Sequence, residues 1–102
     1  MNSLDPFDIA LSRVRAFSAS RKHLSLAGLG LTALPDELFQ LGNLTYLDLS
    51  NNQISELPGD LARLANLRLL SLHNNAISDF PSALMRLPDL RYLDLSANKI
   101  AY

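Results

Sequence analysis

The chain has 102 residues, a formal charge of −1, no cysteine, and 48% hydrophobic residues, with leucine the commonest of them. That length holds one domain with a modest core. A charge this close to neutral gives no argument for nucleic acid or an anionic membrane as the main partner, and the lack of cysteine leaves no disulfide framework to place.

The N-terminus carries Asp5 and Asp8 where a secretory signal needs basic residues and an apolar run, so no signal peptide is expected. The longest apolar-looking stretch, Leu24 to Leu34, is too short for a membrane span and is interrupted by Gly28, Gly30 and Thr32. Leu4 to Phe17 instead reads as an amphipathic helix. Asp5 can cap it, Pro6 suits the first helical position, and Asp8 lies near the positive end of the dipole. Leu4 and Ile9 are spaced as a hydrophobic staple. Phe7, Ala10, Leu11, Val14 and Phe17 share one stripe, with Arg13 and Arg15 pointing elsewhere. Two arginines and two aspartates make a poor basic face for a membrane, so the helix is read as a cap, with Ser18 to Ser20 as linker.

Beyond the linker the chain repeats itself. LTYLDLSNNQISELPGDLARLAN from Leu44 recurs as LRLLSLHNNAISDFPSALMRLPD from Leu67 and as LRYLDLSANKIAY from Leu90, a constant period of 23 residues. One period earlier, RKHLSLAGLGLTALPDELFQLGN from Arg21 keeps the later half of the pattern. A fixed period of this length is the signature of a stacked-repeat solenoid. The division is a cap and linker over 1–20, then repeats over 21–43, 44–66, 67–89 and, in part, 90–102.

Within each repeat, alternation places Leu24 and Leu26, Leu47 and Leu49, Leu70 and Leu72, and Leu93 and Leu95 inward on short strands. Asn52, Asn75 and Asn98 fall where the chain turns out of the sheet. An inward amide can bond both N–H and C=O groups of neighbouring turns, so these three read as a structural ladder. The first repeat has Leu29 at this position, between Gly28 and Gly30, which predicts a different turn beside the cap. Leu34-Pro35, Leu57-Pro58 and Phe80-Pro81 set an extended return path. Leu38 with Leu41, Leu61 with Leu64, and Leu84 with Leu87 then form i, i+3 pairs on short helical segments. Asp36, Glu37, Asp60, Arg63 and Arg86 would lie on a solvated outer side.

Function has to come from positions the core does not use. One outward row holds His23, Tyr46, Leu69 and Tyr92, and the next holds Ser25, Asp48, Ser71 and Asp94. A third holds Ala27, Ser50, His73 and Ser96, and Lys22, Thr45, Arg68 and Arg91 precede the strands. A large aliphatic residue between two tyrosines, bordered by arginine, has the composition of a binding hot spot. Cross-strand packing is the alternative account of the same three side chains. His73 with Asp48, Asp94 and nearby serines invites a hydrolase reading, since diagonal neighbours on adjacent strands can touch. An open face without an oxyanion hole argues against it, and no catalytic residue is assigned. With one nitrogen donor, His73 and two carboxylates make a poor metal site. No metal and no cofactor are expected.

The L-x-x-L-x-L-x-x-N-x-I/L core resembles the leucine-rich repeat family over nearly all of Arg21 to Tyr102. The resemblance implies an α/β solenoid: a short right-handed horseshoe segment, its parallel sheet on the concave face and short helices on the convex face, capped by an N-terminal α-helix. It also implies binding of a protein partner through the concave face, here His23, Tyr46, Asp48, Arg68, Leu69, His73, Arg91, Tyr92 and Asp94. The 23-residue repeat with L-P after the asparagine turn is similar to the intracellular class, which implies a cytoplasmic location. A helix running into LSLAGLGLTALP is similar to the start of leucine-rich domains in some bacterial proteins, including secreted effectors that act in a host cytoplasm and carry a ubiquitin-ligase domain downstream. The alternative expectation is therefore a substrate-recruiting fragment of a larger enzyme, such as a ubiquitin-ligase effector or a kinase. Leu90, Leu93, Leu95 and Ile100 follow the last full repeat with no return segment after them, which leaves a longer native chain, fraying of the last repeat or self-association through that uncapped end, with self-association the favoured expectation.

Overall fold

The computed structural model describes residues 5–17 and 20–100. Asp5 caps the first helix, α1 (Pro6–Ala16), by accepting a hydrogen bond from the Asp8 N–H on its Oδ1 at 2.8 Å. Ala10 and Val14 are buried against the repeats, with Ile9, Leu11 and Phe17 half-buried beside them. Phe7 departs from the expected stripe and is 41% exposed. The helix packs on the segment Asp36–Gln40, a 3-10 helix of five residues. Such a segment is about 10 Å long, whereas eleven α-helical residues span about 16 Å. The cap and first turn, residues 5–8, are all exposed. The staple residue Leu4 and the linker residues Ser18 and Ala19 lie outside the described residues.

Both helix arginines, expected to point away, instead fasten the cap. Arg13 donates from Nη1 to the Ser25 carbonyl at 3.1 Å, on the outer edge of the sheet. Arg15 pairs with Glu37 through two parallel bonds, Nε to Oε2 at 3.0 Å and Nη2 to Oε1 at 3.1 Å. Glu37 is thus an anchor for α1 and not part of a purely solvated face. The bond from Arg15 holds the Glu37 carboxyl below its ordinary range.

Four strands follow: β1 (His23–Ser25), β2 (Tyr46–Asp48), β3 (Leu69–Ser71) and β4 (Tyr92–Asp94). They form one parallel sheet in chain order. Pairing is in phase with the repeat, His23 opposite Tyr46, Tyr46 opposite Leu69, and Leu69 opposite Tyr92. Leu26, Leu47, Leu49, Leu70 and Leu72 are fully buried behind the sheet. Burying a leucine stabilises by about 1.5–3 kcal/mol, so this inward row supplies much of the driving force.

The core is closed by Asp36–Gln40 and two further 3-10 segments, Gly59–Arg63 and Ser82–Arg86. Each begins after an extended proline and is tied by i to i+3 bonds such as Leu38 N–H to Pro35 O at 3.0 Å. Three residues per turn bring side chains at i and i+3 onto one face, which is the spacing of the leucine pairs. Leu61 and Leu64 are fully buried by it. The chain is thus a segment of a leucine-rich solenoid, with the sheet on one face and the 3-10 segments on the other.

Between sheet and back face the asparagines bond the buried turns. Asn52 donates from Nδ2 to the carbonyls of Leu26 and Leu49, and its Oδ1 accepts from Leu29 and Leu31. Asn75 bonds Leu49 O, Leu72 O and Ile54 N–H, and Asn98 bonds Leu72 O, Leu95 O and Ile77 N–H. Leu29 has no repeat before it to bond, so an aliphatic residue packed on the core fits there. The preceding position turns in the left-handed region in every repeat: Gly28, Asn51, Asn74 and Ala97 have φ of 71°, 59°, 56° and 57°. The first turn adds a second such residue, Gly30 at 74°. Ala97 bears a cost of about 1–2 kcal/mol that glycine escapes.

Asn75→Leu should therefore strand buried backbone groups on two repeats and destabilise the fold by roughly 1–3 kcal/mol. Thermal melting monitored by circular dichroism checks this. Equal midpoints for the variant and the parent chain would show that the amide is dispensable.

The concave sheet face as candidate interaction site

Because the sheet is parallel and in register, like positions of successive repeats stand side by side on its outer face. Tyr46 and Tyr92 are 36% and 56% exposed, with Leu69 half-buried between them. His23 extends the row, its ring 4.9 Å from that of Tyr46 and tilted by 36°. Arg68 and Arg91 are exposed just before β3 and β4. Their positions continue the strand ladder, with Arg68 N–H bonded to Thr45 O and Arg91 N–H to Arg68 O, both at 2.8 Å. The basic row is thereby held beside the aromatic one.

Asp48 and Asp94 stand half-buried on the other side of that row. The carboxylates do not bond His73. Asp48 Oδ1 accepts from the Ser50 N–H at 2.9 Å and from its hydroxyl at 2.6 Å. Asp94 Oδ1 takes the same two bonds from Ser96, at 2.9 and 2.5 Å. A serine two residues along reaches its carboxylate without crossing to another strand, and the local bond prevails. The signal for it was the phrase DLS, which occurs at 48–50 and again at 94–96. His73 Nδ1 lies 2.8 Å from Ser96 Oγ instead.

This order matters chemically. An ionised carboxylate only accepts, so the Ser96 proton is directed to Asp94, and Nδ1 must donate to Oγ. Nucleophile activation needs the hydroxyl to donate to an imidazole that a carboxylate orients. Here serine sits between the other two, an arrangement that fixes side chains on a surface. Among the described residues, no group of three or more His, Cys, Asp or Glu side chains is placed to hold a metal ion. No helix among them is long and apolar enough to cross a membrane.

The Ser96 hydroxyl and then its backbone N–H hold the Asp94 carboxyl below its ordinary range against desolvation, with the charge of His73 the least of the contributions. A carboxyl depressed on folding contributes stability above its unfolded pKa, and the contribution is lost as pH falls through the folded one. An NMR titration should show Asp94 ionising below the usual carboxylate range, with Ser96→Ala moving it back up. A midpoint that Ser96→Ala leaves in place would refute the assignment to this hydroxyl.

With the geometry in place, comparison with known proteins is informative. The sequence matches the family model described as leucine rich repeat over residues 22–77 and 61–100. Among solved structures, a leucine-rich repeat protein of Leptospira interrogans is 38% identical, with a TM-score of 0.68 over 78% of this chain. An internalin of Listeria monocytogenes is 27% identical, with a TM-score of 0.76 over 96% of this chain. The match covers 20% of the Leptospira chain and 32% of the internalin, so this chain spans a minor part of either. A search of curated proteins finds no match. On its repeats, its sheet and its family match, the chain belongs to the leucine-rich repeat family.

Proposed function

We propose that this chain binds a protein partner through its concave sheet face, with Tyr46, Leu69 and Tyr92 as the contact core and Arg68 and Arg91 at its border. The leucine-rich repeat fold is a typical protein–protein interaction module. The observation that carries the assignment to this face is the exposure of two tyrosines around Leu69, on strands whose inward leucines already complete the core. Tyrosine and arginine anchor interfaces because they bury large area at low entropic cost and bond through polar ends. His23, Asp48, His73 and Asp94 line the same face and would set specificity. Without cysteine the module suits a reducing compartment such as a cytoplasm.

Self-association belongs to the same proposal. Leu93, Leu95 and Ile100 line an open groove with Phe80, which is 52% exposed, and a second copy would cover it. Sedimentation across a concentration series should show a rising mass. A monomer throughout would remove the idea.

Leu69→Ala and Tyr92→Ala should each weaken partner capture by about 2 kcal/mol, while Arg63→Ala and Asp60→Ala on the back face stay near neutral. Capture of one partner from a cognate lysate, compared across these variants, provides the measurement. Loss in the back-face variants with retention in Leu69→Ala and Tyr92→Ala would move the site to the other side of the solenoid.

A further inference from the structure

The outer face of the sheet is banded by charge. In-register pairing stacks like positions, so each row runs along the solenoid axis and across the strands. The row just before the strands carries Lys22, Arg68 and Arg91, all exposed. Next comes the row of Tyr46, Leu69 and Tyr92. Beyond it stand Asp48 and Asp94, held by their serines. Among the described residues, every hydrogen bond to these two side chains falls on Oδ1, so each Oδ2 is available to a partner. Base, apolar surface and acid therefore follow in that order along the chain direction, the bases at the border where the strands begin, with Asp89 near Arg68.

We propose that this face takes an amphipathic α-helix lying along the solenoid axis. Its apolar stripe rests on Tyr46, Leu69 and Tyr92, its acidic flank meets Arg68 and Arg91, and its basic flank meets Asp48 and Asp94. The proposal rests on the concave-face reading above and adds the occupant's shape and direction.

Three dimensions select a helix. Rows on adjacent strands are about 4.8 Å apart, and one helical turn rises 5.4 Å, so over three rows the two drift apart by roughly 1 Å. An extended segment along the same line presents a same-side residue about every 6.7 Å and drifts by roughly 4 Å. The basic row enters the strands three residues before the acidic one, about 10 Å of extended backbone, and a helix with its side chains is 10–12 Å wide. Either charged row can then reach one flank while the stripe stays on the tyrosines.

The order of the bands also sets polarity. Turning a helix end for end on this face exchanges its flanks, so a helix with one acidic and one basic flank satisfies both rows in one direction only. Like charges brought together in the other direction are repelled, which suppresses it.

The test uses the 102-residue chain and three synthetic peptides that share an apolar stripe at i, i+4 and i+7. The first has acid on one flank and base on the other, the second has the flanks exchanged, and the third repeats the first with a proline at the centre of the helix. Each carries a nitroxide at its N-terminus, and binding is followed by NMR. The first two should bind with similar affinity and in opposite directions, one label broadening amides of β1 and the other those of β4. The proline peptide should bind at least about tenfold more weakly, because it cannot hold the helix. Arg68→Glu combined with Arg91→Glu should weaken the first two by roughly fivefold or more, with Arg63→Glu and Arg86→Glu on the back face as the control. The helix is overturned by absent binding, by equal binding of the proline peptide, by labels that mark the same edge for both peptides, or by indifference to the charge reversals. These outcomes leave the concave-face reading standing, since that fails separately, when Leu69→Ala and Tyr92→Ala retain the captured partner.

Discussion

The hydrogen bonds of one buried amide per repeat hold this structure in its form. A chain that leaves a sheet and turns into the interior takes backbone groups away from water, and each one left unpaired costs about 1–3 kcal/mol. Asn75 meets three of them, Leu49 O, Leu72 O and Ile54 N–H. Two of those belong to the preceding repeat, so the amide is a bond between neighbours as well as within a turn. That requirement explains the constancy of the period. An inserted residue between Leu49 and Asn75 would move the amide off one partner or the other, and the leucines behind it would lose register.

The same dependence explains why the first repeat is unlike the rest. An asparagine at position 29 would have no earlier turn to bond, whereas Leu29 packs on the core. What stands before that repeat is α1, and it is attached by different means. A seam of small side chains, Ala10 and Val14, allows close approach. Arg13 meets an edge carbonyl of β1, and Arg15 grips Glu37 on the back of the first repeat. An edge strand would otherwise present unpaired backbone groups. The exposed Arg15–Glu37 pair adds orientation more than stability, since surface pairs contribute little.

A scaffold held together from inside leaves its outer positions free to vary. Leucines and asparagines occupy the inward sites, and the outward sites carry base, aromatic and acid in separate rows because register carries any local choice into a stripe. The serines after Asp48 and Asp94 keep those carboxylates in fixed positions on the surface. Fixed charged groups on a rigid sheet favour a partner of defined shape, because less entropy is lost when it binds.

Most of the architecture could be derived from the sequence alone, because a solenoid makes each contact between residues one period apart. The 23-residue spacing, the alternating leucines, the asparagine at each turn and the proline before each return segment determine strand order, register and the inward row. The asparagine bonds follow from the same period, since every partner lies in the amide's own repeat or the one before it. What the sequence could not decide were contacts between elements of unlike period. The α1 stripe included Phe7 by helical spacing, but the short segment beneath the helix decided which turns were covered. Arg13 and Arg15 found partners in the first repeat that no local pattern marks. On the outer face, spacing brought His73 and the aspartates within reach of one another, but the local DLS bonds hold the carboxylates on Ser50 and Ser96, and the stacking of repeats puts His73 on Ser96 instead. The reason is that spacing limits which groups can meet, whereas hydrogen-bond geometry chooses among several within reach.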